Sequence, residues 1–127
     1  MRILIVDDES DTREIMLCIF RKKGLIAEAA KNGIEAIAAI AQNKPDIIIF
    51  NITLAEMDGF VTGKLLRENP QTRDIPIIFL TSEKNLGRLI CQLPGAKVKY
   101  VEKPCNIRYL IKECSKLIVD SLPHQPR

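Results

Sequence analysis

Three short runs of this chain are apolar from end to end, and they limit what it can fold into. They are Ile3 to Val6, Ile47 to Phe50, and Ile75 to Leu80, the last interrupted only by Pro76. A strand with one wet face alternates apolar and polar residues. A strand that is apolar throughout is covered on both faces, as in a parallel sheet with helices on each side. The stretches between the runs have the helical period that such a sheet requires. Ile15, Cys18 and Ile19 fall at i, i+3 and i+4 behind Ser10 or Asp11 as an N-cap, and Gly24 stops that helix. Ile34, Ile37, Ala38 and Ala41 repeat the spacing after Asn32-Gly33. Phe60, Leu65 and Leu66 mark a third helix ending near Asn69-Pro70. Ser82 to Leu93 reads as a short fourth, closed by Pro94-Gly95. Ile107, Leu110, Ile111, Cys114, Leu117 and Ile118 make an amphipathic final helix.

Two weaker strands complete the set, Leu25 to Ala30 and Lys97 to Glu102. Strand and helix then alternate five times, which predicts an α/β domain with an open, doubly wound, five-stranded parallel sheet and five helices. Crossovers should be right-handed. Residues 1–121 make one domain, and 122–127 read as a flexible tail or linker stub. The chain has 127 residues, enough to bury roughly two-thirds of its unfolded surface without a disulfide or a metal.

Cysteine usage fits that picture. Cys18, Cys91, Cys105 and Cys114 show no metal-ligand spacing, and the one histidine, His124, is in the tail. They are expected to be reduced, small apolar residues. No run approaches a membrane span, and the opening strand is too short for a leader core. A cytoplasmic location is the default expectation. Charge is uneven: residues 1–81 hold 10 Lys/Arg against 12 Asp/Glu, and residues 82–127 hold 9 against 4. The basic end is either a solvated surface or a docking face for an acidic partner.

In open α/β sheets, ligands bind at the carboxyl ends of the strands. The first strand delivers Asp7 and Asp8 there, the third Asn51, the fourth Thr81, and the fifth Lys103 followed by Pro104. Two adjacent carboxylates suit Mg²⁺, which keeps several waters and takes one or two protein carboxylates. A lysine ammonium and a hydroxyl can hold phosphoryl oxygens. Together they form a clamp for a transferring phosphoryl group. What is missing is a nucleophilic carboxylate on the third strand.

Along about residues 2–120 the chain resembles the receiver domain of two-component response regulators. The likeness rests on Ile3-Leu4-Ile5-Val6-Asp7-Asp8-Glu9, on Pro45-Asp46 with Met57-Asp58-Gly59, on Leu80-Thr81-Ser82, and on Lys103-Pro104. Each stretch is weak alone, but their order and spacing are specific. The resemblance implies a flavodoxin-like strand order 2-1-3-4-5. It implies that Asp7 and Asp8 hold Mg²⁺, with the Thr53 main-chain carbonyl as a further ligand. Thr81 would be the switch hydroxyl, Tyr100 the switch aromatic and Lys103 the phosphate-contacting lysine, with a cis Lys103-Pro104 bond.

The departures are as informative. The family's phospho-acceptor aspartate falls on Asn51, the usual proline four residues later is Ala55, and Ser82 stands where a smaller residue is usual. The interval from Gly95 to Lys103 is one residue longer than expected. A neutral amide is a poor nucleophile toward phosphorus, so the reading is a receiver-type module that cannot accept phosphate. It is not an enzyme, and its cation site is weakened by one lost charge. The alternative is an ordinary phospho-accepting receiver carrying an engineered Asp-to-Asn change at Asn51; the second departure, Ala55, favours natural loss.

A histidine kinase or a downstream effector is the expected partner. The face of the fourth helix, fifth strand and final helix would meet it, through Lys84, Arg88, Lys97, Lys99, Arg108, Lys112 and Lys116. Homodimerisation through that face is an option that its like charge opposes. A flavin phosphate would be repelled by Asp7-Asp8-Glu9-Ser10-Asp11, and no nucleic-acid recognition motif is present.

Overall fold

A computed structural model describes residues 1–52, 58–81, 97–103 and 106–121, with the backbone alone at 52, 58–62, 120 and 121. The strands are β1 (Arg2–Val6), β2 (Ile26–Ala30), β3 (Ile47–Ile52), β4 (Ile77–Thr81) and β5 (Val98–Glu102). They form one parallel sheet in the order β2-β1-β3-β4-β5. The described helices are α1 (Ser10–Lys22), α2 (Gly33–Gln42), α3 (Asp58–Glu68) and the final helix, α4 (Ile107–Ser121). The helix expected over 82–93 and the tail 122–127 lie outside the described residues.

The apolar runs are split by the two-residue period of a strand. Leu4, Val6, Ile48, Phe50, Ile77 and Phe79 pack on one side of the sheet, with Ala36 and Ile40 of α2 and Leu66 of α3. Ile3, Ile5, Ile47, Ile49, Ile78 and Leu80 pack on the other, with Met16 and Phe20 of α1 and Leu110 and Cys114 of α4. Phe50 and Phe79 stack across β3 and β4 with ring centroids 5.4 Å apart. β4 starts at Ile77 rather than Ile75 because Pro76 has no N–H to give a ladder.

Local chemistry sets the helix ends. Gly24 has φ +83, and Leu25 N–H bonds the Phe20 carbonyl while Gly24 N–H bonds that of Arg21, the paired bonds of a Schellman stop. Asn32 caps α2 by accepting from Glu35 N–H at 2.8 Å. α1 differs from expectation: it begins at Ser10, and Glu9 precedes it in extended conformation with no side-chain cap. Glu9 N–H is instead taken by the Asp7 carboxylate at 2.9 Å, so the strand-end acid sets where the helix starts.

Two helices are also rotated from expectation. In α1, Ile15 is 59% exposed and Cys18 is exposed, while Met16 and Phe20 are buried. The larger apolar pair at i, i+4 takes the core side. In α2, Gly33, Ala36 and Ile40 face inward. Ile34 is 83% and Ile37 44% exposed. The small residues Gly33 and Ala36 let α2 lie close on the sheet, beside Ala30 of β2. In α3, Leu66 is buried and Leu65 exposed. The final helix is as expected, with Leu110 and Cys114 fully buried.

Candidate functional site

Strand register lines up the site. Val6 pairs with Phe50, Phe50 with Phe79, and Asn51 with Leu80. The residue after Val6 therefore ends level with Asn51, at the carboxyl edge of the sheet. Asp7 is 2% exposed there and anchored from several sides. Its main-chain N–H bonds the Ala30 carbonyl at 3.0 Å. The Arg13 guanidinium donates to its carbonyl at 2.8 Å. Its Oδ1 accepts from Glu9 N–H, and its Oδ2 accepts from Asn51 Nδ2 at 2.6 Å. Asp8 follows and is exposed.

The Asn51 amide thus places its donor end on the buried carboxylate. Its other end, Oδ1, is buried with no hydrogen-bond partner. Among the described residues no group of three or more His, Cys, Asp or Glu gathers to hold a metal. The available oxygens are two carboxylates, Asp7 and Asp8, and the Asn51 Oδ1. Such a set fits a hard cation that keeps part of its water shell, and a buried, unsatisfied amide oxygen is a donor such an ion can use. It offers one negative charge fewer than three carboxylates, and the bond from Nδ2 already offsets part of the Asp7 charge.

On the far side of β3, Thr81 closes β4 fully buried. Its carbonyl accepts from Lys103 N–H at 2.8 Å, which places Lys103 just past the end of β5. Tyr100 is half-buried and packs with Val98 against the α2–α3 side of the core. The fold therefore gathers Asp7, Asp8, Asn51, Thr81 and Lys103 along one edge. Thr53, Lys84, Arg88 and the Lys103-Pro104 bond lie at least partly outside the described residues.

The basic surface is more structured than its sequence implies. Arg108, Lys112 and Lys116 are exposed on α4. Lys99 of β5 is engaged by the Glu113 carboxylate of α4, and that contact holds the Glu113 carboxyl below its ordinary range. Arg67, 3% exposed on α3, donates to the carbonyls of Arg73 and Lys97, tying α3 to the start of β5. Burial pushes its pKa down to about 10, so it stays a cation at neutral pH.

Arg13 and Arg67 were not singled out by sequence, because no spacing marks a side chain that reaches a main-chain carbonyl. Asp46 stands out in the sequence only as part of Pro45-Asp46. Its carboxylate accepts from Arg2 N–H at 2.7 Å while its own N–H bonds the Arg2 carbonyl at 2.8 Å, joining the starts of β1 and β3.

Comparison with known proteins adds four matches. A family model described as response regulator receiver domain matches residues 3–115. The response regulator MprA of Mycobacterium sp. (strain KMS) is 28% identical over 125 residues, covering 98% of this chain and 54% of that protein. The chain thus spans about half the length of the curated relatives it matches. Among solved structures, the signal receiver domain of a signal transduction histidine kinase from Syntrophus aciditrophicus aligns with TM-score 0.81 at 29% identity, covering 99% of this chain and 96% of that one. The response regulator TrrA from Thermotoga maritima, solved in complex with Mg²⁺-BeF, aligns with TM-score 0.77 at 28% identity, covering 91% and 97%.

Proposed function

The chain belongs to the response regulator receiver domain family, and on that premise we propose that it is a two-component signalling module that takes no phosphate on its third strand and acts through protein–protein contact. The observation that carries this reading is the Asn51–Asp7 hydrogen bond at 2.6 Å. A receiver of the ordinary kind needs a carboxylate oxygen to attack phosphorus and form an acyl phosphate. At this position the chain offers an amide whose nitrogen lone pair is delocalised and whose N–H is committed to Asp7. Its oxygen is neutral and a poor nucleophile.

The rest of the pocket keeps its parts. Mg²⁺, when bound, would be held by Asp7 and Asp8 with the Thr53 main-chain carbonyl, and would neutralise charge at the strand ends. The complex of TrrA with Mg²⁺-BeF supports testing for such a cation here. Thr81 and Lys103 would bond an anion beside it, and Tyr100 would report its arrival on the β5 side. Binding of the cation is weaker than in a three-carboxylate pocket. A histidine kinase or an effector protein is the partner, met by the basic surface of β5 and α4.

The test is incubation with Mg²⁺ and a small phosphodonor such as acetyl phosphate, followed by intact mass. The chain should gain nothing, and Asn51→Asp should gain one phosphoryl group. A phosphoryl group on the unaltered chain would sink the reading. An inert Asn51→Asp would mean that the pocket has lost more than its nucleophile, with Ala55 the first position to restore to proline.

A further inference from the structure

β2 lies at one edge of the sheet, with β1 on its inner side. Backbone groups along a strand alternate in direction. Ile26 N–H bonds the Met1 carbonyl at 3.1 Å, and the Ala30 carbonyl accepts from Asp7 N–H at 3.0 Å, so Ile26, Glu28 and Ala30 face β1. Ala27 and Ala29, between them, turn their N–H and C=O groups to the open side. An open row of such groups is a template for another strand. The strand reads Ile26-Ala27-Glu28-Ala29-Ala30, with Ile26 53% exposed. Like charges facing each other would discourage pairing of two such edges. Glu28 does little of this, because it is paired with the Arg2 guanidinium at 2.8 Å.

One group of that open row is already taken. The Arg21 guanidinium, in the last turn of α1, donates to the Ala27 carbonyl from Nη2 at 2.8 Å and from Nε at 3.2 Å. The stop of α1 makes this reach possible. Gly24 at φ +83 turns the chain, and Leu25 N–H bonds the Phe20 carbonyl, so β2 starts beside the helix end that carries Arg21. A charged fork on a carbonyl is a stronger bond than a neutral strand N–H would make there.

We infer that Arg21 is a guard that keeps the β2 edge from pairing with the β2 edge of a second copy of the chain. Edge-to-edge antiparallel pairing about a two-fold axis at Glu28 sets each Ala27 against Ala29 of the other copy, so one contact is made twice. Residues paired in this way exchange both of their bonds. With the Ala27 carbonyl held by Arg21, each pair loses one of its two bonds, and each Ala29 N–H is left facing an acceptor that is occupied. Ala29 is then the one outward residue of β2 with both groups to offer, too few for a ladder. This guard is independent of what Asn51 does.

The test is Arg21→Met, which keeps an apolar stem on the helix and removes both donors. Sedimentation velocity of the whole chain should show the variant self-associating with a Kd about tenfold or more below that of the parent, the size of one charge-assisted hydrogen bond. Hydrogen exchange read residue by residue should show the Ala27 and Ala29 amides slowed in the associated variant and fast in the parent. Arg21→Lys, which keeps one charged donor, should fall between the two. Adding Ile26→Lys to Arg21→Met puts a charge on the edge and should reverse the association. If a melt shows that Arg21→Met does not fold, Arg21→Ala serves, since alanine suits the helix at least as well. A variant no more associated than the parent overturns the inference. Association that leaves the Ala27 and Ala29 amides exchanging as in the parent overturns it too, because another surface is then responsible. So does association that Ile26→Lys fails to reverse.

Discussion

At the scale of single residues, Asn51 replaces a repulsion with a bond. Were residue 51 an aspartate in the same place, two carboxylates would stand 2.6 Å apart where Asn51 Nδ2 now meets Asp7 Oδ2. Two like charges ~4 Å apart at an effective dielectric of 20 repel by roughly 4 kcal/mol before the pocket relaxes or takes a proton. Asn51→Asp should therefore lower stability by about 1–3 kcal/mol in chelator, and Mg²⁺ should restore more stability to that variant than to the parent chain. Urea unfolding with EDTA and with Mg²⁺ checks both; an aspartate variant at least as stable as the parent in EDTA contradicts the argument.

The cysteines provide a second check. Burial pushes the Cys114 thiol up to about 12, whereas Cys18 is exposed. Since the thiolate is the reactive form, iodoacetamide at mildly alkaline pH should modify Cys18 in the native chain and spare Cys114 until denaturant is added, as read by peptide mapping. Asp7 and Thr81 were legible in the sequence because each follows an apolar run, and Lys103 because it follows the weaker fifth strand and precedes Pro104. The bond from Asn51 to Asp7 and the reach of Arg13 were not, because they depend on side-chain direction.

At the scale of elements, period was legible and phase was not. The apolar runs gave the strands to within a residue or two, since an all-apolar segment between helices has few other uses. The helices were harder. In α1 and α2 more than one stripe satisfies the 3.6-residue period, and the size of Phe20 and the smallness of Gly33 and Ala36 decide which faces inward. The final helix has a single apolar stripe, so its phase was unambiguous. Its junction with β5 carries a pH-dependent link. The Lys99 ammonium holds the Glu113 carboxyl below its ordinary 4.5. A depressed acid contributes stability that is present above that value and lost as pH falls through its folded value. Acid titration of the melting temperature should therefore show a fall below about pH 4.5 that Glu113→Gln lacks or shows weakly. A variant with an identical acid limb would place the acid sensitivity elsewhere.

At the scale of the molecule, the parallel order β2-β1-β3-β4-β5 separates two working surfaces. The carboxyl edge gathers the acidic pocket from β1 and β3 with Thr81 and Lys103 beyond. β5 and α4 form one flank, which carries Lys99, Arg108, Lys112 and Lys116. Tyr100 belongs to the same strand as Lys99 and Lys103 follows its end, so a ligand at the edge and a partner on the flank would share β5. The structure narrows which cations can serve a partner. Lys99 is held by Glu113, and reversing it would damage the β5–α4 contact rather than test docking. Arg108 and Lys112 are exposed on the outer side of α4 and suit the test. If an acidic partner is steered there, Arg108→Glu with Lys112→Glu should cut its capture about tenfold at low salt and much less at high salt, where charges beyond roughly 10 Å are screened. The same pair of changes should leave the urea midpoint unmoved, because neither side chain is buried. Pull-down of the bound protein across a salt series, with melts run on both chains, separates the outcomes. Equal capture at every salt concentration would make the outer side of α4 a solvated surface and turn the search for a partner's contact to the sheet edge.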